Sequence, residues 1–182
     1  MRRFISLLLV SFLFTSCSKP QKHSCPVQSS QMQETNYDQL NEQQKKLLDA
    51  AEAVMQQSYN PYSHFAVGAA LLAADGTIIS GTNFENAAYG SSICAERAAI
   101  LRANAMGYRN FQAIAIIARG EKPVEDIVSP CGACRQVIYE VSDLSDQVID
   151  VIMSNTRKDH ITIATINQLL PLGFGPKALG MN

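Results

Sequence analysis

At 182 residues, with 47% hydrophobic and 17% charged side chains, the chain has the material for one globular domain with a real core plus accessory segments. Fifteen Lys and Arg stand against 16 Asp and Glu, a formal charge of −1, which argues against a polynucleotide partner, since that demands a basic face. A small or weakly charged ligand fits this balance better.

The first 16 residues are of a different kind. Arg2 and Arg3 precede an apolar run from Phe4 to Phe14, followed by Thr15-Ser16-Cys17. A positive start, a short apolar middle and small residues before a break point form the pattern of an export signal. The run is too short for a permanent membrane-spanning helix, which needs about 20 residues. Cys17 resembles the lipid-attachment cysteine of bacterial lipoproteins, although Phe14 departs from the smaller residues usual there. The expectation is a signal peptide over 1–16 and a lipid-modified Cys17, with an uncleaved N-terminal anchor as the alternative. Cleavage takes the formal charge from −1 to −3. Residues 17–37, rich in Ser and Gln, cannot bury enough surface to fold alone and are expected to form a flexible, lipid-anchored tether.

The folded domain is expected over 38–182. Leu47, Ala51, Val54 and Met55 recur at helical spacing, predicting a helix over 38–58 that ends at Asn60-Pro61. Residues 66–74 read as a strand covered on both faces. Asp75-Gly76 turns the chain into a second strand over 77–83. Residues 94–106 are Ala-rich and helical, with Gly107 placed to end them. Residues 113–118 read as a central strand, 131–141 as a helix introduced by Pro130, and 148–153 and 161–163 as further strands. Thr165 and Gln168 form a capping box for a short last helix. A hairpin followed by alternating helices and strands predicts an α/β fold, a three-layer α/β/α sandwich around a mixed five-stranded sheet.

Chemistry concentrates in Cys94-Ala95-Glu96 and Pro130-Cys131-Gly132-Ala133-Cys134. Both segments are predicted at helix starts, where partial positive charge favours thiolate over thiol. Cys131 and Cys134 lie one turn apart and can face one point, and Cys94 completes a three-sulfur set if the two helix starts converge. Zinc bound by three protein ligands keeps a fourth position open, as in catalytic sites. A C-x-x-C alone also serves redox dithiols and structural zinc sites, and Glu96 or Arg97 alone reads as a solvated side chain. Together, C-x-E followed by P-C-x-x-C resembles the signature of zinc nucleoside and nucleobase deaminases.

Further segments extend that likeness to one family. Tyr62-Ser63-His64-Phe65 leads into VGAAL at 67–71; Asn83-Phe84-Glu85-Asn86, Cys94-Ala95-Glu96-Arg97, Pro130 to Gln136, Leu169-Leu170-Pro171 and Phe174 follow. In this order, over roughly Leu47 to Leu179, they resemble the homotetrameric cytidine deaminases. The resemblance implies one Zn²⁺ per subunit on Cys94, Cys131 and Cys134, with Glu96 carrying protons from water to the ring N3 and toward the departing amino group. It implies that Phe65 walls the pyrimidine, that Asn83 and Glu85 bind the ribose 3′-hydroxyl, and that the backbone at Ala95 holds the base carbonyl. Phe174 is expected to reach into a neighbouring subunit's site, and Arg97 to hydrogen-bond the cysteine sulfurs.

The substrates so implied are free cytidine and deoxycytidine, with no nucleic-acid polymer as partner and a membrane engaged only through lipid on Cys17. A deaminase of a modified nucleoside, a zinc-stabilised binding module and an exported thiol oxidoreductase are the other readings. Relatives are normally cytoplasmic, so the N-terminal segment, which points to an exported lipoprotein, is where this sequence departs from the family pattern.

Overall fold

The structure, a computed structural model, describes residues 31–181; the expected signal peptide, Cys17 and most of the expected tether lie outside the described residues. The elements follow in the order β1 (Gln33–Thr35), α1 (Glu42–Met55), β2 (Ala66–Ala73), β3 (Ile78–Thr82), α2 (Ala95–Ala105), β4 (Phe111–Arg119), α3 (Gly132–Leu144), β5 (Asp150–Ser154), β6 (Ile161–Thr165) and α4 (Ile166–Leu169). The strands make one sheet in the order β1-β6-β5-β4-β2-β3. Neighbours are antiparallel except β4 and β5. A parallel pair needs a crossover, and α3 is part of it.

Period-two alternation in the central strands explains the three layers. Ala69, Leu71, Ile114 and Ile116 join Ala99, Ile100 and Ile138 of α2 and α3 in one apolar cluster. Ala70, Leu72, Ala115 and Ile117 join Leu47, Leu48, Ala51 and Met55 of α1 in the other. With both faces covered, each strand reads as a continuous apolar run. Two glycines let the helices sit close. A Cβ on Gly68 would lie 1.9 Å from the Ala51 carbonyl oxygen of α1, and one on Gly81 would lie 2.4 Å from the Ala99 nitrogen of α2.

Three expectations are corrected. The sheet has six strands among the described residues where five were expected, because β1 adds itself to the edge of β6. That strand falls in the span expected to be a tether through residue 37. A polar edge strand needs no apolar face when its backbone pairs and its side chains find partners. The Glu34 carboxylate accepts from Thr162 Oγ1 at 2.9 Å and pairs with His160 Nε2 at 3.2 Å, and the Tyr37 hydroxyl donates to Asp49 at 2.6 Å. The first helix starts at Glu42 and not at 38, since Asn41 and Gln44 form a reciprocal capping box there; Tyr37–Gln39 is a separate 3₁₀ turn.

Topology gathers the loops at one edge of the sheet. Strands β3 and β4 are both antiparallel to β2 and therefore run the same way, and β5 is parallel to β4. The segments that leave their C-terminal ends (83–94, 120–131 and 155–160) emerge together, beside the segment 58–65 that enters β2. Both α2 and α3 begin at that edge, the usual place for a site in an α/β sheet.

Candidate active site

Cys94 is the N-cap residue of α2 and Cys131 that of α3; neither makes a side-chain capping bond, so the first-turn amides keep their favourable field for an anion. Cys134 follows one turn into α3. The convergence of the two helix starts brings the three sulfurs within 4.8 Å of one another. Cys134 is buried, Cys94 half-buried and Cys131 exposed. The Cys131–Cys134 sulfur separation is 3.6 Å, a contact and not the roughly 2.0 Å bond of a disulfide.

Charge around the sulfurs is unevenly shared. Cys94 is brought down to about 5, chiefly by the hydrogen bond from Cys134, with the Arg97 guanidinium adding to it. Cys134 is driven up by its bond to Cys94, by burial and by the facing Glu96. Cys94 therefore ionises readily, while ionisation of Cys134 is resisted until positive charge arrives. Arg97 Nη2 donates to Cys94 Sγ at 3.7 Å and to the Ser92 carbonyl at 3.2 Å. Its Nε is buried with no partner. Three soft donors within one ion's reach, with an arginine alongside, fit a thiophilic divalent cation such as Zn²⁺.

Glu96 stands two residues beyond Cys94, in the first turn of α2, and is 4% exposed. Burial, and after it the charge on Cys94, raise its carboxyl above the ordinary value. It borders a cavity of ≈ 440 Å³ that also reaches Cys94, Cys131, Phe65, Asn83 and Glu85, a size in the range of small-molecule sites.

Asn83 and Glu85 are held from behind. Asn83 Oδ1 accepts from Ser58 Oγ at 2.6 Å and from the Val67 amide at 2.8 Å, while its Nδ2 donates to the Phe65 carbonyl at 2.9 Å. One amide hydrogen remains for a ligand. Glu85 Oε2 accepts from the amides of Tyr62 and Ser63 at 2.9 and 3.1 Å. Its Oε1 accepts from the Tyr89 hydroxyl at 3.4 Å and keeps accepting capacity. The Ser63 hydroxyl first, and then those amides, hold the Glu85 carboxyl below the ordinary value. Both residues line the cavity, one with a donor and the other with an acceptor to spare.

Of the expected site residues, Cys94, Cys131, Cys134, Glu96, Phe65, Asn83 and Glu85 are brought together, and Arg97 touches Cys94. Ala95 is buried at the first position of α2. Phe174 is not at this cavity: it lies in the C-terminal segment, 62% exposed, its carbonyl accepting from Gln136 Nε2 at 2.7 Å. Sequence reasoning missed Tyr89, Ser92, Val128 and Ser129, which also line the cavity. Their only signal was proximity to the cysteine motifs along the chain.

Residues 41–149 match the family of the cytidine and deoxycytidylate deaminase zinc-binding region. A cytidine deaminase of Sporosarcina psychrophila is 46% identical over 135 residues, covering 74% of this chain and 93% of the relative. One from Halalkalibacterium halodurans is 43% identical over 128 residues, covering 70% and 91%. The crystal structure of cytidine deaminase from Burkholderia pseudomallei aligns with a TM-score of 0.64 at 40% identity, covering 71% of this chain and 97% of the other. Since the match runs unbroken through both helix starts that bear the sulfurs, the chain belongs to the cytidine and deoxycytidylate deaminase zinc-binding family.

Proposed function

We propose that the protein hydrolytically deaminates free cytidine and deoxycytidine to uridine and deoxyuridine, releasing ammonia. The observation that carries this is the buried Glu96 beside three convergent sulfurs, at the wall of a cavity that ends in a matched donor and acceptor. Cys94, Cys131 and Cys134 would hold one Zn²⁺, whose Lewis acidity makes water a nucleophile near neutral pH. Glu96 would carry one proton of the attacking water to N3 of the pyrimidine and then carry the remaining proton of the hydroxyl added at C4 to the departing 4-amino group, which leaves as ammonia as the C4 carbonyl forms. Arg97 offsets the negative charge of the sulfurs. Phe65 walls the ring, and the first-turn amide at Ala95 faces the base carbonyl.

Asn83 and Glu85 read the sugar. A single hydroxyl both accepts and donates, so the free hydrogen of Asn83 Nδ2 and the open Oε1 of Glu85 suit one 3′-hydroxyl. An esterified 3′-oxygen loses its hydrogen and would face the Glu85 carboxylate as acceptor against acceptor. Among the described residues, those lining the cavity include no Lys, Arg or His, which favours an uncharged nucleoside over a phosphorylated one. A dithiol oxidoreductase does not account for the third sulfur, nor a pure binding module for Glu96.

Phe174 belongs to a C-terminal segment that also exposes Leu172 and Leu179. In this reading the segment is covered by another subunit of a homotetramer and Phe174 completes the neighbour's site. Phe174→Ala should raise KM and weaken assembly in sedimentation; a fully active monomer would exclude the shared site. Export and lipid attachment at Cys17 are the proposed route to a membrane; among the described residues no helix is long and apolar enough to cross one. Intact mass of the natively expressed protein tests this, since an unmodified Met1 start excludes it and leaves an uncleaved N-terminal anchor or a cytoplasmic enzyme. The function itself is tested by zinc content measured with the ultraviolet change of cytidine on the full chain. One zinc per chain with uridine formed is expected; zinc without turnover overturns the substrate.

A further inference from the structure

Residues 120–131, between β4 and α3, carry no helix or strand of their own, yet one end of this segment backs a cavity-lining residue and the other lines the cavity itself. A Cβ built on Gly120 would lie 3.5 Å from the Phe65 ring, so the start of the segment backs the residue assigned to the pyrimidine. At its other end Val128, Ser129 and Cys131 line the cavity. The middle is gripped by the turn between β5 and β6. Thr156 Oγ1 donates to the Ala118 carbonyl at 2.7 Å and accepts from the Val124 amide at 2.8 Å, while the Thr156 amide donates to the Val124 carbonyl at 3.1 Å. One side chain therefore fastens the end of β4 to Val124 and closes the loop between them. Asn155, 1% exposed, donates from Nδ2 to the Glu125 carbonyl at 3.0 Å, and Arg157 pairs with the Glu125 carboxylate.

The Cys131 end is held separately. Arg135 of α3 donates from Nε to the Pro130 carbonyl at 2.8 Å and from Nη2 to Ser129 Oγ at 2.8 Å. Loosening Thr156 would therefore free the Gly120 end of the segment, which backs Phe65, while the Val128 end stays packed on the core and the sulfurs keep their place.

We infer that Thr156 is a positioning residue for the deamination proposed above, on which this inference rests: its hydroxyl holds the Gly120 end of the segment against Phe65, and so sets the distance from Phe65 to the fixed Val128 wall and the fit of the pyrimidine. Both capacities of the hydroxyl are used, as donor and as acceptor. Valine keeps the shape and loses both bonds; serine keeps both.

The test uses the full zinc-loaded chain, cytidine as substrate, and separate KM and kcat for Thr156→Val and Thr156→Ser, with hydrogen exchange over residues 120–128. A displaced Phe65 wall costs substrate fit, so Thr156→Val is expected to raise KM about tenfold while kcat stays within about threefold. Zinc content should hold and exchange over 120–128 should quicken; Thr156→Ser should restore both. Wild-type KM and exchange in Thr156→Val overturn the inference, as does a fall in kcat that tracks zinc loss. If Thr156→Val does not fold, Arg157→Ala loosens the same grip at Glu125 and should raise KM by a smaller factor; an unchanged KM there overturns it. If the wild-type chain does not act on cytidine, the proposed function fails, and exchange still decides the role of Thr156: quickened in Thr156→Val and normal in Thr156→Ser supports it, unchanged in both refutes it.

Discussion

Replacing Gly81 by alanine tests how the sheet positions the site. The added methyl would stand 2.4 Å from the Ala99 nitrogen and 2.9 Å from the Ala98 carbonyl carbon, both backbone atoms of α2. Ordinary contact begins at 3.4 Å, so the helix must retreat by about 1 Å. Overpacking of this kind destabilises by about 1–3 kcal/mol, roughly 2–12 °C in Tm for a chain this size. The larger effect falls on chemistry, because α2 begins at Cys94 and carries Glu96. A 1 Å displacement of a reacting group can lower turnover about 100-fold. Gly68→Ala is the companion: its methyl strikes α1, 1.9 Å from the Ala51 carbonyl oxygen, and α1 bears no candidate site residue. Thermal unfolding, zinc per folded chain and kcat/KM are measured on both. Gly81→Ala should lose activity per folded chain; Gly68→Ala should lose at least as much stability while its folded fraction keeps zinc and turnover. Wild-type kcat/KM in a folded Gly81→Ala would refute the claim that close packing of α2 on β3 sets the site.

Glu96→Gln should keep zinc and cytidine binding while kcat falls by about 10²–10⁴, the usual worth of a positioned general acid–base; residual activity near wild type would dismiss that role. Arg97→Ala removes charge-assisted bonds to Cys94 and to the Ser92 carbonyl, each worth about 1.5–3 kcal/mol. It should weaken zinc retention against a chelator and lower kcat/KM more than it lowers Tm, and full turnover with intact zinc would contradict it. Glu85 has its carboxyl pKa depressed from the ordinary 4.5 by the Ser63 hydroxyl and the amides of Tyr62 and Ser63. Its stabilising contribution is therefore complete above the unfolded value and lost as pH falls through the folded one. The stability gap between wild type and Glu85→Gln should shrink on acidifying below about 4.5, read by denaturant unfolding at stepped pH; a gap that widens would reverse the sign.

Where local chemistry decides, the sequence was readable. Asp75-Gly76 makes the β2–β3 turn, with Gly76 at φ 89° and the Thr77 amide bonded to Asp75 Oδ1. Thr165 and Gln168 cap α4 as their spacing implied. Both cysteine motifs sit at helix starts because Pro130 and the Ala-rich run after Cys94 leave the helices nowhere else to begin. The boundaries missed were those set by partners far along the chain. β1 exists because Gln33–Thr35 meet Ile161–Ile163 across the sheet, and no property of a polar tripeptide announces that encounter. Tyr89, Val128 and Ser129 share a cavity through loop geometry that residue spacing does not encode.

By itself the sequence determined the donor set, the carboxylate beside it and the layered α/β class, since ligand chemistry and hydrophobic period are properties of residue type and local spacing. Only the tertiary structure decided that Cys94 meets Cys131 and Cys134, that Asn83 and Glu85 line one cavity with Cys94 and Cys131, and that Thr156 bonds both Ala118 and Val124. Those facts depend on strand order: β3, β4 and β5 all run one way, so segments distant in sequence leave the sheet at the same edge and close on one another there.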